Sequence, residues 1–215
     1  MRRRDWLGHC TLLTLAALGA GATAPALAAP PRTVLVVGDS LSAEYGLARD
    51  SGWVALLQKR LKREKLDVRV VNASISGDTS SGGRSRLPAL LAQHKPDVVV
   101  IELGGNDALR GLPLTMTQSN LSAMTRAVKS AGAKALIAGM QVPPNYGRKY
   151  TDDFAALFTT VARAEQVALV PFLLEGVANA PNADAMFQPD RVHPKAEAHP
   201  RMLDNLWPVL RPLLR

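Results

Sequence analysis

Thr33-Val34-Leu35-Val36-Val37-Gly38-Asp39-Ser40-Leu41-Ser42 is the stretch that decides the fold. Its first half is a continuous β-branched and aliphatic run, the pattern of a strand buried on both faces. Its second half is a turn that lifts a serine hydroxyl to the C-terminal edge of the strand. In open α/β sheets, ligands bind at that edge. Taken alone, Ser40 reads as a turn residue or a helix cap. A catalytic reading requires a base, a carboxylate to orient it, and donors for an oxyanion elsewhere in the chain.

Working outward, strand-like and helix-like segments alternate. Residues 52–64 are amphipathic, with Trp53, Leu56, Leu57 and Leu61 on one face. Strands are expected at 68–72, 97–103, 135–140 and 168–172, and helices at 83–93, 114–130 and 152–165. A closing helix is expected over 194–214, opened by Pro194 and interrupted by Pro200 and Pro208. This β-α alternation predicts an α/β domain with a central five-stranded parallel sheet covered by helices on both faces.

The chain has 215 residues, enough for one domain with a full core. Residues 1–28 have the form of a secretory signal peptide: Arg2-Arg3-Arg4, a short apolar stretch, and Ala26-Leu27-Ala28 as a cleavage site. Cleavage there leaves a single domain over 29–215 and removes Cys10, the only cysteine, so the mature protein has no disulfide. The expected compartment is the bacterial periplasm or the exterior. The net charge is +8, but the basic residues are scattered without interleaved aromatics, which argues against a nucleic-acid partner. A transient contact with a membrane surface fits the charge, and a monomer is expected.

Four loops carry unusual polar residues: Gly38-Asp39-Ser40; Asn72-Ala73-Ser74-Ile75-Ser76-Gly77-Asp78-Thr79; Gly104-Gly105-Asn106-Asp107; and Asp190-Arg191-Val192-His193-Pro194. Acyl transfer explains this set. A serine hydroxyl needs an imidazole to take its proton, and the imidazole needs a carboxylate on its other nitrogen. His193 and Asp190 are three residues apart, and Pro194 biases His193 out of the helical region. Backbone N–H groups of Ser40 and Gly77 and the Asn106 amide can serve a developing oxyanion. Other chemistries fit less well. Gly104-Gly105 lacks the Lys-Ser/Thr of a phosphate loop. His193 and His199 are six apart, off the i,i+4 spacing of a helical metal pair, and no second cluster exists, so Asp190, His193 and His199 are not expected to hold a metal.

These blocks, in this order, resemble those of the SGNH (GDSL) hydrolase superfamily, its thioesterase I/lysophospholipase L1 (arylesterase) branch in particular. Ala43-Glu44-Tyr45-Gly46 and Met140-Gln141-Val142-Pro143-Pro144-Asn145-Tyr146-Gly147 extend the similarity. The resemblance implies a flavodoxin-like three-layer α/β/α sandwich. It implies Ser40 as nucleophile, His193 as base and Asp190 as orienting acid, with Ser40, Gly77 and Asn106 forming the oxyanion hole. It implies hydrolysis of carboxylic esters, acyl thioesters or lysophospholipids without a cofactor. The acyl group is expected along residues 77–83, 105–114 and 141–150. Leu109 and Pro143 are candidate apolar contacts, and Asp39 is counted with them at the substrate side, as a turn carboxylate rather than the triad acid. A carbohydrate O-acetylesterase or an acyltransferase would use the same triad. An exported lipid-binding protein with a vestigial site is the non-enzymatic alternative. Three positions depart from the family's last block: Arg191 where Gly is usual, Lys195 where Asn or a small residue is common, and His199 where Gln is common. A left-handed backbone at 191 would cost a non-glycine residue about 1–2 kcal/mol.

Overall fold

A computed structural model describes residues 31–215. The leader and cleavage site expected at residues 1–28 lie outside the described residues. The strands are β1 (Arg32–Gly38), β2 (Val68–Asn72), β3 (Val98–Glu102), β4 (Lys134–Ala138) and β5 (Ala168–Val170). All are parallel, in the order β2-β1-β3-β4-β5. The helices are α1 (Trp53–Arg63), α2 (Ser80–His94), α3 (Gly105–Leu109), α4 (Leu114–Ser130), α5 (Arg148–Glu165), α6 (Ala183–Met186) and α7 (His199–Leu210).

Apolar continuity marks the centre of the sheet. β3 is Val-Val-Val-Ile-Glu and buried throughout, and β1 is buried from Thr33 onward. The edge strand β2 carries Arg69 and Asn72, β5 is only three residues long, and both are partly exposed. α1 and α7 pack together on one face, and α2, α4 and α5 on the other. Trp53, Leu57 and Leu61 fill the first face, as the helical spacing of the sequence requires. Among the described residues no helix is long and apolar enough to cross a membrane.

The expected α/β sandwich with its five-stranded parallel sheet is the observed fold. Differences are local. α2 begins at Ser80 rather than 83, because the Thr79 hydroxyl caps it by accepting from Gly82 N–H at 3.2 Å. The single closing helix is three pieces: a 3₁₀ turn at Ala196–Ala198, then α7, then a 3₁₀ turn at Arg211–Leu214. Pro194 does not open it; it pairs with Phe187 in an antiparallel bridge. Pro200 sits in the first turn of α7, where its missing N–H leaves no bond unmade. α3, α6 and a 3₁₀ turn at Pro144–Tyr146 were not anticipated.

The sheet order reverses direction between β1 and β3. This is the topological switch point at which doubly wound sheets open a crevice. Ser40 follows β1 and Asn106 follows β3, so both candidate residues stand at that crevice.

Candidate active site

The turn that presents Ser40 is wound around Asp39. The Asp39 carbonyl accepts from Ser42 N–H and Ala43 N–H at 3.2 and 2.9 Å. The Asp39 side chain accepts from Leu41 N–H at 3.1 Å. Gly38 makes room beneath: a Cβ there would lie 2.7 Å from Ser42 Oγ and 2.8 Å from Glu102 Oε2. Glu102, fully buried at the end of β3, accepts from Ser42 Oγ at 2.7 Å, and Trp53 Nε1 donates to that hydroxyl at 3.2 Å.

Opposite stands the segment between Phe187 and Pro194. Gln188 N–H donates to the His193 carbonyl at 2.8 Å, and Arg191 N–H to the Gln188 carbonyl at 2.9 Å. Arg191 closes this tight loop with φ +57°, so the left-handed position at the family's usual glycine is real. Asp190 Oδ1 accepts from Val192 N–H at 2.9 Å and His193 N–H at 3.0 Å. Its other oxygen meets His193 Nδ1 at 2.7 Å, and His193 Nε2 meets Ser40 Oγ at 2.9 Å. The N–H of His193, above all, holds the Asp190 carboxyl down at about 2. A carboxylate, an imidazole and a hydroxyl thus form one hydrogen-bonded line across a sequence gap of 153 residues. That line can carry a proton from oxygen to nitrogen.

Asn106 lies in the first turn of α3, which starts because Gly104 adopts φ +119°. Its Nδ2 donates to Asp39 Oδ2 and to the Asp78 carbonyl, both at 3.0 Å. The second bond links Asn106 to the loop that carries Gly77. Among the described residues the N–H groups of Ser40 and Gly77 have no protein acceptor. Asp107, the neighbour of Asn106, faces inward and accepts from Ser80 N–H (2.8 Å), Ser80 Oγ and Thr117 Oγ1 (3.0 Å).

A cleft of about 680 Å³ opens over Ser40 and His193 and is bordered by Asp39, Asn106, Leu109 and Pro143 as well. Its walls are largely apolar, with Met140, Val142, Phe172, Leu174 and Phe187. The cleft departs from expectation in one respect. The α2 residues 80–83 do not border it; the segment from Phe172 to Arg191 does instead. The reason is that α2 turns inward at Ser80, which is fully buried against Asp107. Asp39 is 3% exposed, and its carboxylate is spent on Leu41 N–H and the Asn106 amide.

Several contributors were not singled out as such from sequence. Glu102 interrupts an apolar run at the strand's C-terminal end, which is the one signal it offers. Its burial, and then the charge of Asp39, push its carboxyl well above the usual range, while burial pushes Asp39 up to about 6. His199 is 2% exposed. Its Nδ1 accepts from Trp53 N–H at 3.0 Å, so it ties the start of α7 to the first turn of α1. Burial holds its pKa below the ordinary imidazole value. Tyr45 and Gln188 touch the His193 segment directly.

The sequence model of the GDSL-like lipase/acylhydrolase family matches residues 36–201. The chain is similar to esterase TesA of Pseudomonas aeruginosa, 56% identical over 86% of this chain and 91% of that protein. It is 42% identical to thioesterase 1/protease 1/lysophospholipase L1 of Escherichia coli, over 87% of each chain. A crystal structure of TesA superposes with a TM-score of 0.81, covering 85% of this chain and 99% of that one. The match spans the sheet, the serine turn and the His193 loop, and the chain therefore belongs to the GDSL-like lipase/acylhydrolase family and is a hydrolase of carboxylic esters.

Proposed function

We propose that the chain is an exported serine esterase and thioesterase that cleaves single-chain acyl substrates, lysophospholipids among them, through an acyl-enzyme on Ser40. The observation that carries this reading is the hydrogen-bonded line from Asp190 through His193 to Ser40. His193 Nε2 takes the hydroxyl proton as Ser40 Oγ bonds to the acyl carbon. Asp190 fixes the proton on Nδ1 and balances the imidazolium. The proton then passes to the departing oxygen or sulfur, and water repeats the sequence in reverse to free the acid.

The carbonyl oxygen becomes an oxyanion in this step. The Ser40 and Gly77 N–H groups are candidate donors because protein acceptors do not consume them. The Asn106 amide is the third. Its two hydrogens are held by Asp39 and the Asp78 carbonyl, so it is oriented before substrate arrives and shares one of them with the oxyanion. The names of the relatives, thioesterase, esterase and lysophospholipase, support the substrate class. The apolar walls, Leu109 and Pro143 included, favour an acyl chain over a lone acetyl group. The leader form of residues 1–28 supports export of a single domain from residue 29.

A chain-length series of chromogenic acyl esters, run with wild type and Ser40→Ala, tests the reading. Turnover should rise beyond acetyl, and Ser40→Ala should lower kcat by about 10⁴–10⁶-fold. A fluorophosphonate should label Ser40. Undiminished turnover by Ser40→Ala sinks the mechanism, and activity confined to acetyl esters sinks the substrate class.

A further inference from the structure

Tyr45 has no part in the scheme above, yet its ring lies against that of His193, with centroids 4.3 Å apart and planes tilted by 38°. It is 50% exposed, so burial does not account for its place. Gln188 does. Its Nε2 donates to the Tyr45 carbonyl at 2.9 Å and to the Pro194 carbonyl at 3.2 Å. Its own N–H donates to the His193 carbonyl at 2.8 Å, and its carbonyl accepts from Arg191 N–H at 2.9 Å. Gln188 therefore staples the loop after β1 to the His193 segment, its side chain holding Tyr45 and Pro194 and its backbone holding His193 and Arg191. Gly46 leaves the space: at φ +70°, a Cβ there would lie 2.1 Å from Gln188 Oε1.

The surroundings of His193 are otherwise polar. Asp190 holds Nδ1 and Ser40 meets Nε2. The Asp39 carboxylate across the turn feels the imidazole's charge. Arg191, on the same loop, borders the cleft. Among the described residues Tyr45 is the one aromatic ring against His193.

We propose that Tyr45 is a positioning residue for His193, its π-face stabilising the imidazolium that forms when Ser40 gives up its proton, with Gln188 keeping the rings together. An aromatic face attracts a cation centred within about 6 Å, and the gain here is exerted only while His193 is charged. Tyr45 itself exchanges no proton. The inference rests on the proposed roles of Ser40 and His193.

The experiment is a set of pH profiles of kcat and KM on a soluble short-chain ester, for wild type, Tyr45→Phe, Tyr45→Leu, Gln188→Ala and His193→Ala, with a melting curve for each. Tyr45→Phe keeps the π-face and should stay within about two-fold of wild type in kcat. Tyr45→Leu still covers the ring with alkyl carbon but has no π-face. It should lower kcat about three- to ten-fold, leave KM within about two-fold, and move the acid limb of the profile to lower pH. Gln188→Ala should reproduce part of that loss. A wild-type kcat and acid limb in Tyr45→Leu overturn the proposal. So does an equal loss in Tyr45→Phe, which would make the hydroxyl the agent, or a change confined to KM, which would make Tyr45 a substrate contact. Wild-type turnover by His193→Ala is a different result: it removes the catalytic reading itself.

Discussion

Asp39 adjoins Ser40 but works in the opposite direction, toward the protein. Its carboxylate orients the Asn106 amide, and its burial raises its own pKa to about 6. In Asp39→Asn, two amide nitrogens would compete for the same space. We expect kcat to fall about 10–100-fold with KM little changed, less than the 10²–10³-fold typical of losing an oxyanion donor outright. Steady-state kinetics on a soluble ester decide it. Asp190→Asn keeps an oxygen for the N–H groups of Val192 and His193 but places an amide against Nδ1. The wrong tautomer should lower kcat by up to about 10⁴-fold while the melting temperature at neutral pH shifts little. The line of Asp190, His193 and Ser40 was legible in the sequence because a serine hydroxyl with an imidazole and a carboxylate is a chemical set, and the chain offers it in the turn after β1 and in the segment before α7. Tyr45, Gln188 and Glu102 were not assigned roles, because their parts depend on packing between segments over a hundred residues apart or on burial that no spacing encodes.

Among the elements, the joint of α2, α3 and α4 carries the heaviest polar load. Asp107 is fully buried and accepts three hydrogen bonds from Ser80 and Thr117. Asp107→Ala leaves those donors without an acceptor in a dry site, and we expect a loss of at least about 2–3 kcal/mol in denaturant unfolding. The loop from Phe187 to Pro194 is the reverse case. Arg191 holds a left-handed backbone at φ +57°. Arg191→Gly removes that strain but adds freedom to the unfolded chain, so a net gain of up to about 1 kcal/mol is expected in the same measurement. Strands and the amphipathic helices were readable from apolar period; α4 falls on its expected residues, Leu114–Ser130. Short pieces such as α3 and α6 span too few turns to show a period. The proline-broken C-terminal segment divided where Pro194 took a β-bridge instead of a helix start.

At the scale of the molecule, the switch point between β1 and β3 brings the serine turn and Asn106 together, and beneath it lies an acid that resists ionisation. Glu102 has its carboxyl raised well above the usual value by burial. A carboxyl raised on folding binds its proton more tightly in the native state. Its contribution to stability is full below the unfolded value, near 4.5, and is lost as pH rises through the folded one. Glu102→Gln abolishes that titration. Melting curves from pH 5 to pH 8 should therefore show the difference between variant and wild type moving in the variant's favour as pH rises; a constant difference would assign the acid no titration there.

His199 carries one more consequence. Its Nδ1 ties the start of α7 to the first turn of α1, and 153 residues separate the His193 imidazole from Ser40. On the proposed roles, the serine and its proton acceptor therefore come from opposite ends of the described fold. On those roles, a polypeptide that has folded its sheet but not brought the His193 segment to Ser40 should be inert toward acyl groups. Hydrolysis should then begin only when that segment docks, and turnover during refolding should time that docking rather than the collapse of the core.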